Sequence, residues 1–141
     1  MIYPVPFQGL VVRYNYLWHK DYIEGLIDSG KDRPCALVLY SSKKGQAAVV
    51  PITHSSPELG EEDTSIMIPP HICKAIGLDE DVNWVRVNEL NTFDWPGNHL
   101  RPRPDNPSRF DYGIMPKEFF EQVRDRLVDL MTQRRVVQTK R

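Results

Sequence analysis

Asp32-Arg33-Pro34-Cys35-Ala36-Leu37-Val38-Leu39 is followed closely by a second apolar run, Gln46-Ala47-Ala48-Val49-Val50-Pro51-Ile52-Thr53. Both runs have the length and apolar content of strands, and Ser41-Ser42-Lys43-Lys44-Gly45 between them reads as a hairpin loop. The expected unit is an antiparallel hairpin of residues 35–40 with 46–52. A guanidinium enters the first strand at Arg33 and a hydroxyl leaves the second at Thr53, so pairing can bring both to one end of a sheet. An Arg fork fits a phosphate bidentately, and a hydroxyl beside it can orient a reacting group.

Outward from the hairpin the chain reads as short strands and turns. Twelve prolines argue against a helical bundle. Residues 9–16 form a first strand with Tyr14 and Tyr16 on one face. Residues 20–28 are expected to make a short helix carrying Tyr22, Ile23, Leu26 and Ile27 on one side, with Gly30 as its stop. The acidic stretch from Ser55 to Ser65 reads as exposed loop, residues 65–68 as a short strand, and residues 71–76 as one helical turn closed by Gly77. Residues 83–90 read as one strand with Arg86, Asn88 and Leu90 on one face and Val85, Val87 and Glu89 on the other. The run from His99 to Arg109 mixes Pro102, Pro104 and Pro107 with Arg101, Arg103 and Arg109 and reads as loop. Pro116 suits the start of a helix whose stripe is Phe119, Phe120, Val123, Leu127, Leu130 and Met131. Residues 136–141 are expected to fray. The fold class is a small, mainly β domain with one C-terminal helix.

The 141 residues fit a single domain. Its 18 basic and 19 acidic side chains nearly cancel, so any grip on nucleic acid must be local. No apolar run approaches the about 18 residues of a membrane span, and Met1-Ile2-Tyr3-Pro4 does not open a signal-peptide pattern. A cytoplasmic chain without a membrane partner is therefore expected. Cys35 and Cys73 read as reduced, packed thiols. The four histidines, His19, His54, His71 and His99, lack metal-ligand spacing, so no metal and no cofactor are expected.

The candidate chemistry rests on few residues. Arg33 either clamps a phosphate or pairs locally with Asp32, and Thr53 either contacts a phosphate oxygen or is an ordinary strand residue. Arg86, in mid-strand, needs a groove or a carboxylate to offset the cost of burying charge. His54 follows Thr53 and has the imidazole for proton transfer, or is a loop histidine. Glu89 is the carboxylate nearest Asn88, but strand alternation aims it away. Trp18, Tyr14 and Tyr16 either stack on unpaired bases or fill the core. Arg101 and Arg103 are candidates for tracking a phosphate backbone, and also unremarkable surface.

In order along the chain, Gly9-Leu10-Val11-Val12, Arg33-Pro34 before its strand, Val50-Pro51-Ile52-Thr53 and Gly77-Leu78 with Trp84-Val85-Arg86-Val87-Asn88-Glu89-Leu90-Asn91-Thr92-Phe93-Asp94 resemble the MazF/PemK family of toxin-antitoxin endoribonucleases. Leu10 and Arg13 stand where the family has an acid and a Trp. The resemblance implies an SH3-like barrel of short antiparallel strands, usually a homodimer, that cuts single-stranded RNA, typically mRNA, without metal and is inhibited by a cognate antitoxin. The family's catalytic Arg and Thr positions map onto Arg33 and Thr53, and the second Arg of the PemK branch onto Arg86. That branch carries an acid where this chain has Asn88, whose amide cannot act as a general base. His54 is a possible replacement. His19 lies in a loop where some members carry a histidine. The first loop, 17–31, and the Pro/Arg loop, 99–110, are longer than usual. The rivals are a catalytically inactive barrel that binds nucleic acid or protein, and a peptide-binding adaptor using Trp18, Tyr14 and Trp84.

Overall fold

The computed structural model describes residues 2–141. Its strands are β1 (Leu10–Tyr14), β2 (Arg33–Ser41), β3 (Gln46–Thr53), β4 (Ser65–Met67), β5 (Trp84–Arg86), β6 (Glu89–Asp94), β7 (Asp111–Ile114) and β8 (Val137–Lys140). Three α-helices join them: α1 (His19–Ile23), α2 (Pro70–Ile76) and α3 (Lys117–Thr132).

The hairpin read from the sequence is present. β2 and β3 pair antiparallel, with Cys35 opposite Pro51 and Ala36 opposite Val50. β1 adds to the free side of β2, and β7 to that of β1. On its other side β3 is shared. Its first half pairs with β6, Gln46 to Val49 against Asp94 to Asn91, and its last two residues pair with β5. The eight strands form one sheet, with β4 and β7 ending its main path. That sheet does not close into a barrel, which corrects the SH3-like barrel expectation. The mainly β class with a C-terminal helix stands.

Side chains alternate across the sheet into two apolar layers. Val11, Val38, Val50, Ile52, Val85 and Val87 face α2 and α3, where Phe119, Phe120, Val123, Leu127 and Leu130 cover them. The spacing of those helical residues puts one stripe of α3 on the sheet. The opposite layer holds Val12, Tyr14, Tyr16, Cys35, Leu37, Val49 and Phe93. Gly77 ends α2 at φ +86, a conformation that favours glycine.

Three local expectations are corrected. The helix after β1 stops at Ile23, with Gly25 rather than Gly30 taking the left-handed turn, and none of its residues is buried. Residues 83–90 are not one strand, since β5 ends at Arg86 and β6 begins at Glu89. Leu90 joins Val85 and Val87 in the helix-covered layer instead of opposing them. The tail does not fray: β8 pairs parallel with β6, Glu89 opposite Val137 and Thr92 opposite Lys140.

Arg141 locks this last strand. Its side chain is almost fully buried, and its guanidinium donates to the Asn15 carbonyl, to Asn91 Oδ1 at 3.2 Å and to the Ile27 carbonyl at 3.0 Å. Asp28 lies 3.6 Å away. Removing the guanidinium takes the donor from the Asn15 carbonyl and one of two donors from Asn91 Oδ1, which keeps the Leu17 amide. Arg141→Ala is expected to lower stability by about 3 kcal/mol in urea unfolding, in the range seen when one partner of a buried charge network is removed.

Candidate functional site

The site grows out of β6. Glu89, Asn91 and Phe93 alternate onto the face of the sheet that carries Tyr14 and Tyr16. Asn91, fully buried, accepts from the Leu17 amide at 3.0 Å and donates to the Leu17 carbonyl at 2.9 Å. Glu89 Oε1 accepts from the Tyr16 hydroxyl at 3.0 Å and from the His19 amide at 3.1 Å. Two side chains of one strand thus tether residues 16–19 on both sides of Trp18.

Trp18, half-buried and packed edge-on against Tyr16, is where two arginines meet. The Arg33 guanidinium lies 5.0 Å from the indole centroid and that of Arg86 5.5 Å. Both distances suit cation–π attraction. Arg33 comes from the first residue of β2 and Arg86 from the last of β5, and both strands flank β3. Neither guanidinium has a carboxylate within 4 Å among the described residues. The Nε atoms of both are buried without a hydrogen-bond partner. Arg86 makes one long bond, 3.4 Å, to the Ser55 carbonyl. Burial above all, with the like charge of Arg86, lowers the Arg33 pKa from its ordinary value, yet a guanidinium stays charged at neutral pH. The two under-paired cations meet at Trp18, Arg33 lining the cleft that Thr53 lines and Arg86 a smaller one, and each has donors left for an anion.

Arg33 and Thr53 line one cleft of about 500 Å³, together with Arg13, Lys31, His54 and Tyr112. The Thr53 hydroxyl accepts from the Ser55 amide at 3.2 Å. His54, one residue past the strand, turns to Asp79, with Nε2 2.9 Å from Oδ2. It lines the cleft with Arg33, but among the described residues its ring bonds to Asp79 and not to Arg33, Trp18 or Arg86. His54, Asp79 and Asp81 place their ligand atoms within 4.8 Å of one another, all three exposed, and could among the described residues hold a cation. Asn88 shares a smaller cleft with Arg86, Glu58 and Glu61. Its Oδ1 is buried without a partner.

The remaining candidates lie around this centre or away from it. His19 sits beside Glu89, its ring Nδ1 3.3 Å from the Thr139 hydroxyl of β8. Arg103 is held by Asp105 and stacks over Tyr112 at 4.6 Å, and Arg109 pairs with Asp111. Arg101 is 3.8 Å from Asp32, too far for a hydrogen bond. These loop arginines are partly neutralised and do not join the Arg33–Arg86 pair.

Sequence reasoning turned Glu89 away from the site, and the structure corrects that. Alternation assumes an unbroken strand. The interruption at Val87 and Asn88 resets the parity, so that Arg86 and Glu89 come to one side. Burial above all raises the Glu89 pKa, against the hydrogen bonds from His19 and Tyr16 and the charges of His19 and Arg86.

The chain matches no protein-family model, no curated protein and no solved structure.

A raised carboxyl pKa has a definite sign in stability. The folded protein holds the Glu89 proton more tightly than the unfolded chain does, so ionising Glu89 weakens folding as pH rises through the folded value. Glu89→Gln, which keeps an acceptor for Tyr16 and His19, is expected to be more stable than the parent at pH 7. The difference should shrink as pH falls towards about 4.5, where the unfolded carboxyl protonates. Thermal melts of both proteins across that range measure it.

Proposed function

We propose that this protein is an endoribonuclease that cleaves single-stranded RNA without metal, by attack of a 2′-hydroxyl on the adjacent phosphorus. The observation that carries the reading is the pair of under-neutralised guanidiniums, Arg33 and Arg86, held over one indole. A pentacoordinate phosphorus gathers negative charge on its equatorial oxygens as the transition state forms. Two preorganised forks in a partly dry site stabilise that charge more than they stabilise the ground state.

Trp18 gives the pair a second use. Trp18 is half-buried, and an unpaired base that reaches its ring face or the planar guanidinium above it can stack there, which favours a single strand over a duplex. Thr53, at the strand end beside Arg33, can orient a phosphate oxygen. The order of motifs that resembles the MazF/PemK family supports the same reaction. With it come, as parts of the proposal, a cytoplasmic setting, an inhibitory antitoxin and a second copy of the chain. Among the described residues no helix is long and apolar enough to cross a membrane. Asn88 favours a second reading, a module that binds RNA without cutting it, because its amide supplies no base.

The decisive measurement is the end group formed on a long single-stranded RNA in the presence of a chelator. A 2′,3′-cyclic phosphate supports the nuclease, whereas binding without cleavage supports the module. Arg33→Ala and Arg86→Ala are each expected to lower the cleavage rate about 10²–10³-fold, the usual loss for one oxyanion donor. Trp18→Ala is expected to weaken binding of a short single-stranded oligonucleotide by about 1–3 kcal/mol in fluorescence anisotropy, and to affect a duplex of the same sequence less.

A further inference from the structure

Resting on the RNA-cleavage reading, we propose that Glu89 is the general base of the Arg33–Arg86 site, its Oε2 taking the proton of the attacking 2′-hydroxyl. The two oxygens of this carboxylate are used differently. Oε1 accepts from the Tyr16 hydroxyl and the His19 amide, which fixes the plane of the group. Oε2 accepts no hydrogen bond among the described residues and is not shut off from solvent. No Lys, Arg or His lies within 4 Å of the carboxylate among the described residues, so the charge is not consumed in an ion pair. A carboxylate clamped on one oxygen and open on the other is built to meet a third donor.

The neighbouring groups leave this task to Glu89. Asn88 carries an amide, and its Oδ1 is buried. His54 is turned towards Asp79, and the His19 ring towards Thr139. The charged and titratable groups facing Glu89 are Arg86, His19 and Tyr16. Its burial raises its basicity towards working pH, which suits a base.

The step balances without another reagent than water. The O2′–H proton passes to Oε2 as the O2′–P bond forms. The P–O5′ bond breaks, its electron pair stays on O5′, and O5′ takes a proton from water. Arg33 and Arg86 hold the non-bridging oxygens throughout. The products are a 2′,3′-cyclic phosphate and a 5′-hydroxyl, and Glu89 returns its proton to solvent.

The test compares the full-length parent, Glu89→Gln and Glu89→Asp. It records kcat/KM against pH on a single-stranded RNA, and binding of the all-2′-deoxy strand of the same sequence, which cannot be cut. The parent rate should rise with pH on the acid side as Glu89 ionises. Glu89→Gln should be about 10²–10⁴-fold slower with that limb flattened, while binding the deoxy strand no more weakly. Glu89→Asp should keep the limb and recover part of the rate. A Gln variant that cleaves at the parent rate with the parent limb overturns the base and leaves the nuclease reading intact. A Gln variant that no longer binds the deoxy strand overturns it too, as it makes Glu89 a structural prop. A parent that binds RNA but never cuts it removes the nuclease reading and the base with it.

Discussion

The pairing of β3 is the constraint on which the rest of the molecule depends. One edge of this strand is filled by β2 along almost its whole length. The other is divided, β6 taking the first half and β5 the last two residues. A single strand thereby fixes where three others end, and all the site residues come from those ends or from what they tether. Arg33 opens β2, Thr53 closes β3, Arg86 closes β5 and Glu89 opens β6. The division also explains the break at Val87 and Asn88. A chain leaving β5 must step along β3 to begin β6, and the residues of that step cannot stay in register with either.

Energetically, the site opposes the stability of the sheet that bears it. Among the described residues, two guanidiniums approach one indole with no carboxylate within 4 Å, and the half-buried Glu89 carboxylate has no cation within 4 Å. Each costs free energy that an ion pair between them would have relieved. Cation–π contact with Trp18 and the two donors on Glu89 Oε1 offset part of the cost. Such an arrangement persists where the surrounding packing overrides it, and a group held apart from its natural partner is available for another.

Much of this was legible in the residues. The hairpin followed from two apolar runs around a polar loop, and its antiparallel sense alone placed Arg33 near Thr53. The stripe from Phe119 to Leu130 announced a helix lying on the sheet. What the sequence hid was non-local. Val136 to Arg141 is short, polar and charged, with no alternation to announce a strand. It is held by β6 and by a buried guanidinium whose acceptors lie at Asn15, Ile27 and Asn91. Glu89 was misplaced because Trp84 to Asp94 carries no glycine or proline to betray its break, and parity counted across a hidden break gives the wrong face. Whether a sheet of short strands closes into a barrel depends on whether its terminal strands meet, which no local pattern states.

The terminal strand and the candidate site are mechanically one unit. β6 is held on one edge by β3 and on the other by β8, and its inward side chains fix the segment that presents Trp18. Thr139 of β8 meets the His19 ring, and Arg141 reaches Asn91, the residue that pins Leu17. Displacing β8 would expose the outer edge of β6 and remove a donor from Asn91. Arg141, directly after β8, also lies over the ring of Tyr14 in the second apolar layer, so the same displacement reaches the core. The segment carrying Trp18 is thus held both by these hydrogen bonds and by the layer beneath it. A residue as distant in sequence as Arg141 is thereby linked, through Asn91 and Leu17, to the segment that carries Trp18.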